Sequence, residues 1–260
     1  MTDKTEIRLR DARPALDTRP LAKRIGLLIL ATDHTTEPDF SRMVASERIG
    51  VYVARVPYAN PTTPENLRRM QPTLTDGAAL ILPGEELDAI CYSCTAASAV
   101  IGDAEVAAAI NTAKPGVPVV TPPLAATRGL KALGAKRISI LTPYTVETSR
   151  PMAAYFERNG FDIASFTCLG LEDDREMARI APETIVELAR EAMAPDAEGL
   201  FVSCTALRAA VAVPDMERAL GRPVVSSNLA TAWNCLRLCG DAAARPELGR
   251  LMSLPLAGAA

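Results

Sequence analysis

Cys91-Tyr-Ser-Cys-Thr-Ala-Ala-Ser98 is the stretch that decides the fold, because its pattern occurs twice in the chain. One apolar run ends in Ser93-Cys94-Thr95-Ala96, and a second run, Gly199–Val202, ends in Ser203-Cys204-Thr205-Ala206. In both places a buried-strand pattern leads into a small polar turn that carries one thiol, and a helix-like stretch follows. The two thiols are too far apart in sequence for a redox Cys-x-x-Cys or a local metal-ligand pair.

The repetition continues downstream of each thiol turn. Gly116-Val-Pro-Val-Val120 leads into Thr121-Pro-Pro-Leu-Ala125, and Gly221-Arg-Pro-Val-Val225 leads into Ser226-Ser-Asn-Leu-Ala230. Two blocks that recur in the same order with similar spacing indicate an internally duplicated chain. We therefore predict two half-domains that each bring one cysteine to a shared site.

Strand-like and helix-like segments alternate along the chain, among them an Ala-rich helix at 96–113 and a strand at 161–166, which predicts an α/β fold with parallel sheets flanked by helices. We expect two pseudo-symmetric Rossmann-like half-domains with the active site in the cleft between them, because ligands of such sheets bind beyond the carboxyl ends of the strands. The predicted boundaries are an N-terminal extension at 1–22, a first half-domain at 23–130, a second at 131–240, and a C-terminal segment at 241–260 that packs back on the fold.

The composition is that of a soluble globular protein, with 48% hydrophobic and 23% charged residues and a formal net charge of −3. Lys and Arg form no stripe, so we expect neither nucleic acid nor membrane as a partner. No secretory signal or membrane-spanning run is recognisable, which favours a cytoplasmic location with reduced thiols. The expected partners are a small carboxylate substrate and further copies of the chain, as a dimer or tetramer.

The two thiol turns favour cysteine chemistry. A cysteine between a strand end and a helix start lies near unpaired backbone N–H groups, which predicts a lowered thiol pKa. Two such thiols on opposite sides of one carbon can remove and deliver a proton, or one can add to a double bond while the other handles the proton. We therefore expect no metal and no cofactor. The remaining cysteines lack this setting and are predicted to be core residues: Cys91, Cys168, Cys235 and Cys239.

The polar groups of these turns supply candidate substrate-binding residues. The hydroxyls of Thr95 and Thr205, beside the thiols, can seat a carboxylate together with backbone N–H groups. Tyr144 either donates its hydroxyl to a carboxylate or covers the end of the sheet. His34, the only histidine, is either a site residue or a surface group. Asn228 either binds substrate or shapes its own turn.

These residues resemble the aspartate/glutamate racemase superfamily, and within it the branch of maleate cis–trans isomerases, arylmalonate decarboxylases and the ectoine-utilisation group EutA. The resemblance extends from about Arg24 to Leu238. Ile29-Leu-Ala-Thr-Asp-His-Thr-Thr-Glu37 is similar to the isomerase segment that ends its first strand in Ser-Asn-Thr-Thr, and looks most like the ectoine-utilisation form. Leu141-Thr-Pro-Tyr144 matches the place of a substrate-binding tyrosine. Cys94 and Cys204 match the two catalytic cysteines.

The resemblance implies a cofactor-independent isomerase or racemase of a small carboxylic acid. In an isomerase Cys94 adds to the double bond and Cys204 handles the proton; in a racemase the two act as base and acid. His34 stands where maleate isomerases have a carboxylate-binding asparagine, and the ectoine-utilisation group implies a nitrogen-containing acid. The decarboxylases keep only the second-half thiol. The alternatives are a decarboxylase of a malonate-type acid and a non-catalytic metabolite-binding protein.

Overall fold

The computed structural model describes residues 7–256 and contains two four-stranded parallel sheets. The strands of the first half are β1 (Lys23–Leu30), β2 (Ile49–Val56), β3 (Ala89–Ser93) and β4 (Val119–Val120). The strands of the second half are β5 (Arg137–Tyr144), β6 (Asp162–Leu171), β7 (Gly199–Val202) and β8 (Val224–Ser226). The orders β2-β1-β3-β4 and β6-β5-β7-β8 are equivalent, which confirms the predicted duplication and the α/β fold.

Helices flank both sheets. Those of the first half are α1 (Thr36–Met43), α2 (Pro64–Arg68), α3 (Leu74–Ala79), α4 (Thr95–Ile101), α5 (Asp103–Ala113) and α6 (Pro122–Ala132). Those of the second half are α7 (Val146–Arg158), α8 (Asp174–Met177), α9 (Pro182–Ala192), α10 (Ala209–Leu220) and α11 (Ser227–Leu238). Short 3-10 turns cover Gln71–Thr73, Pro246–Leu248 and Arg250–Ser253.

The central strand β1 follows directly from its sequence. Its continuous apolar run pairs with β2 on one edge and β3 on the other, and every residue from Arg24 to Leu30 is buried. Because both faces of this strand are covered, its residues need not alternate between apolar and polar, which explains the continuous apolar run. Both thiol strands, β3 and β7, are buried along their whole length.

The two halves are joined through equivalent helices. α6 packs against α11, and each begins at a hydroxyl cap: Thr121 accepts from the Leu124 N–H, and Ser226 accepts from the Leu229 N–H. These caps are the repeated Thr121 and Ser226 of the sequence. The duplication therefore produces the interface that positions the thiol turns.

Two elements differ from the sequence-based expectation. The Ala-rich stretch 96–113 is two helices rather than one, because Gly102 adopts φ +105° between α4 and α5. The strand expected at 161–166 continues to Leu171. Its carboxyl end therefore lies five residues further on than predicted, and this extension brings an acidic run, Glu172-Asp-Asp174, to the site described below.

Residues 7–22 form no helix or strand. The proposed boundary at 22 stays a prediction, and residues 1–6 lie outside the described part of the chain.

At the C-terminal end, the Trp233 Nε1–H and the Arg237 Nε–H both donate to the carbonyl of Leu254, at 2.8 and 2.9 Å. Residues 257–260 of the predicted C-terminal segment are likewise outside the description. Between residues 7 and 256, no helix is both long and apolar enough to cross a bilayer.

Candidate active site

Both repeated cysteines lie just beyond the carboxyl ends of the equivalent strands β3 and β7. The side chains of Cys94 and Cys204 are only 5% exposed. Cys204 is close enough to Cys94 for a negative charge on its sulfur to raise the pKa of Cys94. All six cysteines are free thiols, and Cys91, Cys235 and Cys239 are buried, as expected for core residues. Cys168 is half-buried instead.

Threonine hydroxyls hold the two thiol turns against each other. Thr95 Oγ1 donates to Ser227 Oγ at 2.8 Å, and Ser227 Oγ in turn accepts from the Cys204 N–H at 3.1 Å. Thr205 Oγ1 donates to the Ser93 carbonyl at 3.2 Å. Each threonine therefore bonds to the opposite half. The structure gives both threonines a positioning role, and their direct contact with a substrate carboxylate stays a prediction.

Cys204 has an unusual backbone and several hydrogen-bond donors. Its φ of +100° is in a region that non-glycine residues rarely adopt. Burial raises the pKa of the Cys204 thiol to about 11, although the Tyr144 hydroxyl and the N–H groups of Ala206 and Leu207 lower it. Cys204 Sγ also lies 3.9 Å from Sδ of Met177. The N–H donors come from the turn itself, because the next helix, α10, begins only at Ala209.

Cys94 is the residue that precedes α4, as predicted, but it has fewer donors. Burial raises the pKa of its thiol to about 12, and only the Ala97 N–H is prominent among the groups that lower it. The carboxylates of Asp174 and Asp33 raise it further. The prediction that the turn lowers the pKa of the thiols was therefore wrong: loss of water around the sulfur outweighs the nearby N–H groups.

Tyrosines surround the thiols. Tyr144, predicted from the sequence, is 3% exposed, and its hydroxyl lowers the pKa of Cys204. Tyr92 donates its hydroxyl to Met70 Sδ at 3.6 Å, and after burial the nearby Cys94 is the main cause that raises the pKa of Tyr92. Tyr58 is near enough to both thiols for their charges to raise its pKa, after burial as the main cause. Tyr92 and Tyr58 were not predicted, because one lies inside a strand and the other in a long loop.

The polar turn after β1 orients Asp33 inward and His34 outward. Asp33 is buried and its Oδ1 accepts from the N–H groups of Thr35 and Thr36, both at 2.8 Å. Thr36 Oγ1 lies 3.0 Å from Ser93 Oγ, which ties this turn to the first thiol turn. His34 is exposed. The structure therefore does not support His34 as a substrate ligand in place of the isomerase asparagine.

The amide nitrogen of Asn228 donates two hydrogen bonds. Its Nδ2 donates to Asp39 Oδ2 at 2.8 Å and to the Thr205 carbonyl at 3.0 Å, and the side chain is 1% exposed. It thus connects α11 to α1 and to the second thiol turn. This is the turn-shaping role that the sequence left open, and a contact with substrate stays a prediction.

A cover from both halves carries site residues that the sequence-based analysis missed. Asp174 is 5% exposed and accepts from Thr32 Oγ1 and, at 2.7 Å, from Asn60 Nδ2. The Thr62 N–H donates to the Glu172 carbonyl at 2.7 Å, so loop 57–63 and segment 172–174 close over the thiols together. The sequence does contain a signal for these residues, because the acidic run Glu172-Asp-Asp174 directly follows a strand. The predicted end of β6 was too early, so the run did not stand at a predicted strand end.

Comparisons with known proteins agree with this architecture. A family model described as arylmalonate decarboxylase matches residues 83–252. The arylmalonate decarboxylase of Bordetella bronchiseptica is 38% identical over 139 residues, 52% of this chain and 58% of that protein, so this match spans a little over half of the relative. The maleate isomerase of Nocardia farcinica is 27% identical over 241 residues, 88% of this chain and 95% of that one.

Solved structures show the same fold. A cysteine-to-serine variant of the N. farcinica maleate cis–trans isomerase, with a covalently bound succinylcysteine intermediate, superposes with a TM-score of 0.81 at 26% identity and covers 89% of this chain and 98% of its own. A liganded arylmalonate decarboxylase variant, with one cysteine introduced and another replaced by serine, gives a TM-score of 0.77 at 29% identity over 88% and 98% of the two chains.

Proposed function

Because the chain belongs to the arylmalonate decarboxylase family, we propose that it is a cofactor-independent isomerase or racemase of a small carboxylic acid. The observation that carries the proposal is the pair of buried thiols, Cys94 and Cys204, presented by equivalent turns of the two halves, each with a tyrosine close enough to interact with it. Two opposed proton-carrying groups are what reactions at both faces of one carbon require. The family supports cysteine chemistry but leaves the reaction open.

We assign Cys204 as the proton carrier, because it has the larger set of donors. The Tyr144 hydroxyl and the N–H groups of Ala206 and Leu207 stabilise its thiolate, and the pKa of Cys204 is lower than that of Cys94. In the pair, Cys204 is therefore the first to ionise. Because the pKa of Cys204 is about 11, its thiolate is the minor form near neutral pH, and Cys94 keeps its proton.

As an isomerase, the pair acts by addition and elimination. The Cys204 thiolate takes the proton of Cys94 as the Cys94 sulfur forms a bond to one alkene carbon, and the π electrons move toward the carboxylate. Cys204 then gives the proton to the other alkene carbon, and rotation about the new single bond follows. The Cys204 thiolate removes this proton again as the carbon–sulfur bond breaks, and the proton returns to Cys94, which restores the double bond, the Cys94 thiol and the Cys204 thiolate. The succinylcysteine in the related isomerase is the kind of adduct that this route forms.

As a racemase, the pair acts by transfer of one proton on each face. The Cys204 thiolate removes the proton from the α-carbon, the electron pair enters the carboxylate as an enediolate, and the Cys94 thiol delivers a proton to the opposite face. Tyr144 and Tyr58, which are near enough to both thiols for their charges to raise the pKa of each tyrosine, are our candidates to hold the carboxylate as charge develops.

The proposal extends to the class of substrate, the cellular location and the oligomeric state. Similarity of the Thr32–Glu37 segment to the ectoine-utilisation group favours a nitrogen-containing acid. A cytoplasmic location and a homo-oligomeric state stay predictions.

Nuclear magnetic resonance in D₂O tests the proposed reaction. The protein is incubated with maleate, D- and L-aspartate, D- and L-glutamate, and monoacetylated diamino acids. We expect deuterium to enter an α-position of at least one acid, or a cis signal to become trans. Absence of both across the panel, with the thiols titrated as reduced, would refute an isomerase or racemase.

Two alternatives have an observation in their favour. The 38% identity to an arylmalonate decarboxylase favours decarboxylation, which release of CO₂ from aryl- and alkylmalonates in the same assay would reveal. The raised pKa values of Cys94 and Cys204 favour a metabolite-binding protein, because burial disfavours a reactive thiolate. A binding protein would be stabilised by an acid from the panel without exchanging any of its protons.

A further inference from the structure

Asp174 is a buried carboxylate beside the thiols, and the roles proposed above leave it unused. It lies in the first turn of α8 and is 5% exposed. Met177, three residues later, lies on the same face of this helix, and its Sδ is 3.9 Å from Cys204 Sγ. The face of α8 that carries Asp174 is therefore turned toward the second thiol.

The neighbours of Asp174 keep it as a hydrogen-bond acceptor. Thr32 Oγ1 donates to one carboxylate oxygen and Asn60 Nδ2 donates to the other at 2.7 Å. Asn60 Oδ1 also accepts from the Asp174 N–H at 3.2 Å, which fixes the backbone. A carboxylate has about four lone-pair positions, so it can accept from a further donor in the site.

The charges that act on the thiols are negative. Asp174 raises the pKa of both Cys94 and Cys204, after burial as the larger cause, and Asp33 acts in the same direction on Cys94. The arginines around the cover have other partners. Arg55 pairs with Glu37 at the surface, and Arg175 pairs with Asp173. A substrate with two carboxylates would thus bring two further negative charges into a buried, negative site.

We propose that Asp174 is a specificity-determining residue that binds a cationic nitrogen, so that the substrate is a monocarboxylic acid with an ammonium group rather than a dicarboxylate. The proposal rests on the proposed function and names its substrate class. The ammonium group donates to a free lone pair of Asp174 and offsets its charge, while the carboxylate of the substrate faces the tyrosine hydroxyls. The neutral isosteric change Asp174→Asn removes this complementarity and keeps the shape of the site.

Ligand-induced thermal stabilisation tests the proposal separately from catalysis. The probes are 2-aminobutyrate, N-acetyl-2-aminobutyrate, the two monoacetylated 2,4-diaminobutyrates, and maleate. We expect a probe with an ammonium group to raise the Tm of the wild-type protein, and to bind about 30-fold or more weakly to Asp174→Asn. The matched control is Glu176→Gln, which removes a charge from the exposed side of the same helix, where Glu176 pairs with Arg179 at 3.9 Å. This control keeps wild-type affinity.

The outcomes separate the two proposals. Binding of ammonium-bearing acids that depends on Asp174, without deuterium exchange, supports this inference and contradicts the proposed reaction. Stronger binding of maleate than of every ammonium-bearing probe, or equal binding by the wild type and Asp174→Asn, overturns the inference while the isomerase proposal stands. If Asp174→Asn does not fold, Asp174→Ser removes the same charge with a smaller side chain and is subject to the same comparison.

Discussion

At the scale of single residues, the second thiol is held in a backbone conformation that its side chain disfavours. A non-glycine residue at φ +100° costs about 1–3 kcal/mol, and such strain concentrates at functional sites. Cys94 has an ordinary extended φ of −147°. The two equivalent cysteines therefore respond differently to the loss of Cβ.

We predict opposite effects of glycine at the two thiol positions. Because glycine tolerates a positive φ, Cys204→Gly will be more stable to unfolding than Cys204→Ala, by roughly 1 kcal/mol. At the control position Cys94→Gly will be less stable than Cys94→Ala. Urea denaturation of the four variants measures the difference. If alanine is the more stable substitution at both positions, Cys204 is not strained.

We also predict that Tyr144→Phe will make Cys204 harder to ionise. The Tyr144 hydroxyl lowers the pKa of Cys204, so its loss moves that pKa upward from about 11. Below the pKa the thiolate fraction falls tenfold for each unit of increase. Alkylation of Cys204 by iodoacetamide, followed by peptide mass spectrometry between pH 7 and 10.5, will be several-fold slower than in the wild type at each pH.

The control for this experiment is Tyr52→Phe, a half-buried tyrosine on β2. It keeps the wild-type alkylation rate. In the wild type itself, the rate at Cys204 rises about tenfold per pH unit, because the reactive thiolate is the minor form below the pKa. Rapid alkylation at pH 7, or an unchanged rate in Tyr144→Phe, would contradict the buried environment described for this thiol.

At the scale of elements, α11 serves both as an anchor between the halves and as a support for the second thiol turn. Asn228 in its first turn donates to Asp39 of α1 and to the Thr205 carbonyl. Asp39 is buried, which raises the pKa of its carboxyl despite the bonds from Asn228 and Arg42. The hydrogen bond from the Asn228 amide therefore offsets part of the free-energy cost of burying the Asp39 carboxylate.

We predict that Asn228→Asp will destabilise the protein by about 2–4 kcal/mol at pH 7, because it places a second carboxylate against Asp39. The loss shrinks as the pH falls, since protonation of either carboxyl restores a hydrogen bond. Thermal unfolding from pH 5 to 8 measures it. The double variant Asp39→Asn/Asn228→Asp reverses the donor and acceptor of this pair and recovers part of the stability, because the bond to the Thr205 carbonyl stays lost. A double variant no more stable than Asn228→Asp would indicate that Asn228 does not act through Asp39.

At the scale of the whole molecule, duplication produces a site that is symmetric in its thiols and asymmetric in its surroundings. The turn after β1 brings Thr36 to Ser93, whereas the end of β5 brings Tyr144 to Cys204. The buried hydroxyl of Ser203, the counterpart of Ser93, has no hydrogen-bond partner among the described residues. The two halves thus share a fold but place different polar groups beside their thiol turns.

The sequence was sufficient to predict this symmetric part. Repeated strand and turn patterns are local, so Cys94, Cys204 and the α/β fold were recognisable. Burial and contacts between distant parts of the chain cannot be read from a local sequence pattern. The direction of the thiol pKa shifts was therefore predicted wrongly, and Asp174 was missed on a cover that joins distant loops. His34, a candidate from the polar turn, is exposed while the neighbouring Asp33 is buried, because a shift of one residue decides which side chain faces inward.

The measurement that tests the central claim most directly is deuterium exchange by Cys94→Ser and Cys204→Ser, each in D₂O with the best acid of the wild-type panel. The account predicts that each substitution alone abolishes turnover, by about 1,000-fold or more, while the Tm changes little, because the two thiols act as one unit. A variant that keeps wild-type turnover with either thiol absent would contradict the two-cysteine mechanism.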